Sequence, residues 1–237
     1  MSDQTSTLRA VLFDFDGTLV NTTPLILRCF NATWEKVFGL TFEDAEYIKT
    51  FGIPLQVAME QMIERFAAVE RIARPADLAA KVEELILTYR SFNECWHDQM
   101  IQPFPGVDET LRELKERGYQ LGLVTSKKRI GAERGMRLYR MTELFDVCLC
   151  AEDTTNNKPH PEPLLRAMEC LGIGPSETAF VGDSTHDIVA GKAAKVVTAA
   201  AAWGPFTRAE LAALEPHYLL DVPSDLLAIC PAPDNSE

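Results

Sequence analysis

Beyond residue 106 the sequence alternates between a helical and a strand rhythm, and that alternation limits the folds open to it. Residues 107–117 carry a helical pattern closed by Gly118, and residues 120–125 read as a strand. The pairing repeats through helix 129–139, strand 145–150, helix 161–171 before Gly172, strand 178–181, helix 187–194 and strand 196–201. Segments 207–214, 218–220 and 224–229 complete the chain, and 231–237 reads as a frayed tail. Helix–strand alternation of this kind demands a parallel sheet covered by helices on both faces. Residues 9–15 supply one more strand. Its run Ala10-Val11-Leu12-Phe13 is continuously apolar, as burial on both faces requires.

Between this first strand and the alternating region the character changes. Asn21-Thr22-Thr23-Pro24 is a helix start, followed by Leu27, Phe30, Trp34, Val37 and Phe38 at helical spacing and stopped by Gly39. A short helix from Thr41 to about Lys49 follows. A third stripe holds Leu55, Met59, Met62, Ile63 and Phe66. A fourth, from Pro75, holds Leu78, Val82, Leu85, Ile86, Tyr89 and Phe92. The Met and aromatic stripes read as seams between these helices, and no strand signal interrupts them. Pro103-Phe104-Pro105-Gly106 breaks the composition and reads as a hinge. The expected architecture is a doubly wound, Rossmann-like α/β core of residues 1–20 and 101–237, with an all-helical domain of residues 21–100 inserted after the first strand. That insertion point is the carboxyl edge where such sheets bind ligands, so the insert is expected to serve as a cap.

Charge narrows the partners. The 237 residues carry 35 acids against 23 Lys and Arg, a net charge of −12. This argues against nucleic-acid binding and against docking on anionic lipid. It leaves an anionic substrate open, because a metal can dominate a small pocket. No apolar run is long enough to span a bilayer, and Met1 to Thr7 lack the basic start and apolar core of a leader, so the expectation is a cytoplasmic protein. The six cysteines form no C-x-x-C pair and are expected to be reduced and mostly buried. Cys148 and Cys150 alternate as in a strand.

Four constellations carry chemistry, each at a strand end. Asp14-Phe15-Asp16-Gly17-Thr18 places two carboxylates two residues apart, a repulsion that a cation between them offsets, and Gly17 allows a turn that aims backbone N–H groups at an anion. Thr125-Ser126-Lys127 ends a strand in two hydroxyls and a cation, all suited to phosphate. Lys158-Pro159-His160-Pro161 holds a lysine in a rigid loop before a helix, where it can balance charge. Gly182-Asp183-Ser184-Thr185-His186-Asp187 repeats the pattern of acids after a buried strand. Asp183 could ligate a metal and Asp187 could steady its neighbours; acids also suit a helix start for dipole reasons. His186 has no partner visible in sequence and is left without a role. In a doubly wound sheet these strand ends line one edge, so the four motifs converge.

In this order the four motifs resemble the haloacid dehalogenase superfamily, over essentially the whole chain and including a helical cap after the first motif. The resemblance implies Asp14 as nucleophile, Asp16 as general acid and base, Thr125 as the second-motif hydroxyl, Lys158 as the third-motif lysine, and Asp183 and Asp187 as the fourth-motif acids. It implies Mg²⁺ held by Asp14, the backbone carbonyl of Asp16, and Asp183. Gly17, Thr18, Ser126 and Lys127 are expected beside the substrate. Dehalogenases and phosphonate-cleaving relatives lack the second acid of the first motif, so Asp16 implies phosphoryl transfer. Mutases often carry Glu-Asp in the fourth motif, where this chain has Gly182-Asp183-Ser184. With Thr125-Ser126-Lys127 and Trp203-Gly204, that pattern is similar to phosphoglycolate phosphatases and the related inorganic pyrophosphatases. Asn21-Thr22 departs from an Asp-Ser pair common there. Residues 49–55 resemble the substrate-facing cap region of that subgroup. The implied activity is Mg²⁺-dependent hydrolysis of a small phosphorylated metabolite, phosphoglycolate-like first, with pyrophosphate hydrolysis or sugar-phosphate isomerisation as alternatives and a non-catalytic binding protein as the remaining one.

Overall fold

The computed structural model describes residues 8–232. Residues 1–7, read above as lacking the features of a leader, and tail residues 233–237 lie outside the described residues; Pro231 and Ala232 are exposed and belong to no helix or strand. The chain divides into two compact units: Thr22–Ile101, and the chain up to Asn21 together with that from Gln102 onward.

The second of these is the α/β unit. Its strands are β1 (Ala10–Phe13), β2 (Val20–Asn21), β3 (Gln102–Pro103), β4 (Gln120–Val124), β5 (Val147–Leu149), β6 (Thr178–Gly182), β7 (Val197–Ala201) and β8 (Tyr218–Leu220). The other unit holds α1 (Thr23–Phe38), α2 (Asp44–Ile48), α3 (Leu55–Ala68) and α4 (Leu78–Met100). The α/β unit continues with α5 (Val107–Glu116), α6 (Arg129–Leu138), α7 (Glu162–Leu171), α8 (Thr185–Ala194), α9 (Arg208–Ala212) and α10 (Leu226–Ile229). Six strands form a parallel sheet in the order β5-β4-β1-β6-β7-β8. The chain builds outward from β1 to β5, then returns to β6 on the other side of β1. That reversal opens a crevice beyond the carboxyl end of β1.

Register explains the layers. Leu12 pairs with Phe180 and Phe13 with Val181, so the members of each pair share a face. Leu12 and Phe180 pack with Val124 and Leu149 against Leu164 and Met168 of α7 and Ala190 and Ala194 of α8. Phe13 and Val181 face a small apolar cavity with Leu111 of α5 and Leu226 of α10. Two glycines let these layers close: a Cβ at Gly122 would meet Leu12 Cδ2 at 2.4 Å, and one at Gly191 would meet Thr198 Cγ2 at 2.5 Å.

The helical unit is built around aromatics. Trp34 is fully buried, stacks on Phe38 at 5.0 Å and meets Phe42 and Phe66 edge-on at 5.4 and 5.5 Å. Tyr47 stacks on Phe30; its hydroxyl accepts from Phe42 N and donates to Asn31 Oδ1. Met59, Met62, Ile63 and Phe66 are buried, as seams between helices require. The buried stripe of α1 runs through Leu25, Cys29, Phe30 and Trp34. Leu27, Val37 and Phe38, expected on it, are half-buried. Helix α4 starts at Leu78, later than Pro75, because Asp77 caps it through Ala80 N.

The short pair β2–β3 had no signal in the sequence. Val20 and Asn21 pair antiparallel with Pro103 and Gln102, so Pro103 of the expected hinge lies in a strand, and Gly106, at φ 86°, begins α5. Cysteine burial also departs from expectation: Cys29, Cys150 and Cys230 are buried, Cys148 is half-buried, and Cys95 and Cys170 are exposed. No helix among the described residues is long and apolar enough to cross a membrane.

Candidate active site

The crevice gathers the ends of three neighbouring strands. Asp14 follows β1, Thr125 follows β4 and Asp183 follows β6. Asp14 N donates to Val181 O and Thr125 N to Leu149 O, so sheet bonding continues into both residues. After Asp14 the chain turns sharply: Leu19 N and Val20 N both donate to Phe15 O, and Gly17 N donates to Val20 O. Gly17 stands at φ 84° with Asp183 against it; a Cβ there would lie 2.3 Å from Asp183 Oδ2. Both facts restrict the position to glycine.

Lys158 is the hub. It is buried, with Nζ 2.9 Å from Asp14 Oδ1 and 2.7 Å from Asp187 Oδ1. Asp187 Oδ2 accepts from Ser184 N at 3.0 Å and Ser184 Oγ at 2.6 Å, while Asp187 N donates back to Ser184 Oγ. This reciprocal cap starts α8 and fixes the carboxylate that steadies Lys158. Asp183 is held from the other side: Thr18 Oγ1 donates to its Oδ1 at 2.6 Å, and Trp203 Nε1 donates to Thr18 O at 2.9 Å. Thr18, expected beside substrate, is fully buried with its hydroxyl on this acid.

Asp16 stands apart from the buried cluster. Lys127 Nζ donates to both its oxygens, at 2.8 and 3.1 Å, in a partly exposed pair. Lys127 N donates to Thr125 Oγ1 at 3.2 Å. Ser126 is half-buried between them. The structure thus joins Asp14, Asp187 and Lys158 in one set, Thr18 and Asp183 in a second, and Asp16, Lys127 and Thr125 in a third.

Asp14, Asp183 and Asp187 are buried, and each offers an oxygen within 4.8 Å of the others. One lysine answers three carboxylates. Burial pushes the Asp14 carboxyl up to about 7; Lys158 opposes that rise and Asp187 adds to it. Asp183 is raised well above the ordinary range by burial, then by the charges of Asp187 and Asp14. Burial opposes charge on Lys158 as well, yet Asp14 and Asp187 together hold it more firmly protonated than usual. An excess of buried negative charge with oxygen donors only fits a hard divalent cation such as Mg²⁺. Asp187 already spends one oxygen on Lys158 and the other on Ser184, which leaves Asp14 and Asp183 as the carboxylates that could take such an ion.

Stability of the metal-free protein follows with a definite sign. The folded Asp14 carboxyl holds its proton to about 7, whereas the unfolded one releases it near 3.8. Between those values the native state binds more protons, so stability is greatest at low pH within the window and falls as pH rises through it. Urea titrations in a chelator are expected to show this fall, and Mg²⁺ is expected to reduce it.

Sequence reasoning did not foresee the clamp on Asp183 and Asp187. A Cβ at Gly204 would sit 2.3 Å from Asp183 Cβ and 2.9 Å from Gly17 O; one at Gly182 would sit 2.4 Å from Asp187 Cβ. The one signal for Ser184, unused above, is its place three residues before Asp187, the spacing of a capping box. Trp203 had no signal beyond its pairing with Gly204. Gly204→Ala is expected to weaken Mg²⁺ affinity by about tenfold or more, because the acid must shift; a Mg²⁺ titration of turnover reads this.

A family model described as haloacid dehalogenase-like hydrolase matches residues 11–201. The chain is 40% identical to the protein named pyrophosphatase PpaX of Bacillus cereus (strain B4264), over 94% of this chain and 96% of that one. Among solved structures, an inferred phosphoglycolate phosphatase of Lactobacillus plantarum superposes with a TM-score of 0.79 at 29% identity, covering 94% of this chain and 99% of that one. Another from Haemophilus somnus superposes at 0.86 with 23% identity, covering 95% and 99%, a likeness of fold alone. This chain belongs to the haloacid dehalogenase-like hydrolase family. Within it, the chain is an enzyme of the phosphatase type.

Proposed function

We propose that this enzyme is a Mg²⁺-dependent hydrolase of a small phosphorylated metabolite, acting through an aspartyl-phosphate on Asp14, with inorganic pyrophosphate as its preferred substrate. The observation that carries the mechanism is the buried set Asp14–Lys158–Asp187 beside Asp183, a nucleophilic carboxylate held ready in a site that calls for a cation. The substrate choice rests on 40% identity, across nearly the full length of both chains, to a protein named a pyrophosphatase. Phosphoglycolate is the second reading, on the resemblance at 29% identity to an inferred phosphoglycolate phosphatase.

Asp14 attacks phosphorus, and Lys158 keeps its carboxylate ionised and aimed. Asp16, at the partly exposed rim, protonates the departing oxygen and then takes a proton from the water that cleaves the aspartyl-phosphate. Thr125 and the backbone N–H groups of the turn after Asp14, other than those of Gly17, Leu19 and Val20, which the turn itself uses, bind the equatorial phosphoryl oxygens, and Lys158 offsets their charge. Asp14, Asp183 and the carbonyl of Asp16 hold Mg²⁺, which when bound neutralises charge on the phosphoryl group. Thr18 and Trp203 position Asp183, while Ser184 and Asp187 position Lys158.

The test is phosphate release from pyrophosphate, phosphoglycolate, sugar phosphates and nucleotides, with Mg²⁺ and with a chelator. Release that is greatest with pyrophosphate and falls by about a hundredfold or more on chelation supports the reading. A greater preference for phosphoglycolate makes the second reading the correct one. Isomerisation of a sugar phosphate without free phosphate overturns both.

A further inference from the structure

Cys148 and Cys150 take no part in the chemistry above, yet their sulfurs lie 3.8 Å apart, in van der Waals contact. They flank Leu149 at the end of β5, an edge strand. Their surroundings differ. Cys148 is half-buried and lines an open cavity of about 480 Å³ together with Arg129, Met136, Arg137 and Phe145. Cys150 is buried behind it. The Arg129 guanidinium donates to Cys148 O at 3.3 Å and pairs with Asp153, whose carboxylate also accepts from Cys150 N at 2.7 Å. The hydrogen bond with Cys150 holds the Cys148 thiol below its usual range; burial opposes this and the charge of Arg129 assists it. Cys150 is displaced upward by that same bond and by burial. A half-buried thiol on an open cavity, shifted toward thiolate and with a second thiol in contact, is the arrangement of a peroxide-reactive cysteine with its resolving partner.

We infer that Cys148 and Cys150 form a reversible disulfide on exposure to a hydroperoxide, and that this disulfide lowers turnover. The Cys148 thiolate attacks one peroxide oxygen: an S–O bond forms, the O–O bond breaks and hydroxide leaves. The Cys150 sulfur then attacks the Cys148 sulfur: the S–S bond forms, the S–O bond breaks, and the hydroxyl leaves as water with the Cys150 proton. Two thiols and one hydrogen peroxide give one disulfide and two waters.

The bridge is geometrically accessible. Residues two apart in a strand have Cα atoms about 6.6 Å apart, inside but near the upper end of the span a disulfide tolerates, about 4.4–6.8 Å. The sulfurs must approach from 3.8 Å to about 2.05 Å. A bridge drawn at that limit is readily reduced, as labile regulatory disulfides are. Its effect on turnover comes through the residues it contracts. Leu149, between the two cysteines, accepts from Thr125 N through its carbonyl, and Ala151 N donates to Lys127 O. Shortening this stretch pulls on both second-motif residues. The effect on turnover rests on the proposed hydrolysis; the disulfide does not.

The experiment treats the purified protein with hydrogen peroxide, then alkylates free thiols and maps peptides by mass spectrometry, with phosphate release followed in parallel. The expected result is a peptide holding Cys148 and Cys150 that is lighter by two hydrogens and not alkylated. Turnover falls severalfold, and dithiothreitol restores mass and activity. Cys148→Ser and Cys150→Ser retain basal turnover and lose the peroxide response. Free alkylation of both cysteines after treatment, or oxidation that stops as irreversible acid on Cys148, overturns the disulfide. A complete disulfide with unchanged turnover overturns the regulatory step.

Discussion

Lys158→Met is expected to destabilise the metal-free protein by about 3–5 kcal/mol, the range for removing one partner of a buried ion pair. The lysine sits within 2.9 Å of Asp14 and 2.7 Å of Asp187, and Asp183 shares the same buried space. Methionine matches its length but supplies no charge, so three carboxylates face one another without a protein cation. Urea denaturation in a chelator reads the loss. Mg²⁺ is expected to return part of the stability, because an ion that binds only the folded state stabilises it by mass action. Turnover stays low even with Mg²⁺, since Lys158 no longer aims the Asp14 carboxylate or offsets charge on the phosphoryl oxygens. Wild-type stability in a chelator would show that Lys158 is not the counter-charge described here.

The second large effect has stability and activity moving apart. Asp14→Asn is expected to abolish phosphate release, by roughly 10⁴-fold or more, as loss of a covalent nucleophile does. The same change removes one of three repelling buried carboxylates and keeps the shape of the side chain. The metal-free variant is therefore expected to melt at the wild-type temperature or above it, a pattern of function held at the expense of stability. Thermal melts in a chelator, beside a phosphate-release assay, measure both. Normal turnover in the folded variant removes Asp14 from the role of nucleophile.

Much of this fold was legible because burial on both faces leaves a plain trace. Ala10 to Phe13, Leu121 to Val124 and Ala179 to Gly182 are unbroken apolar runs, and their register brings Asp14, Thr125 and Asp183 to one edge. The pair β2–β3 was illegible. Two residues on each side carry no periodicity, and their pairing joins segments about eighty residues apart in the chain. In α1 helical spacing pointed to Phe30 and Trp34, which are buried, and also to Leu27, Val37 and Phe38, which are half-buried while Leu25 and Cys29 take the buried face. At the site, residue types announced the acids and the lysine, but not how they are held. The approach of Gly204 and Gly182 to the acids depends on backbone paths that spacing does not encode. Lys127 read as a phosphate ligand; in the structure it holds Asp16, a contact between residues more than a hundred positions apart.

The central claim is the covalent step on Asp14, and an acid-quenched single turnover with radiolabelled pyrophosphate tests it most directly. Label is expected on the peptide that carries Asp14, formed only with Mg²⁺, decaying as free phosphate appears and absent from Asp14→Asn. Label on another residue, or complete hydrolysis with no labelled protein at any quench time, would contradict the account.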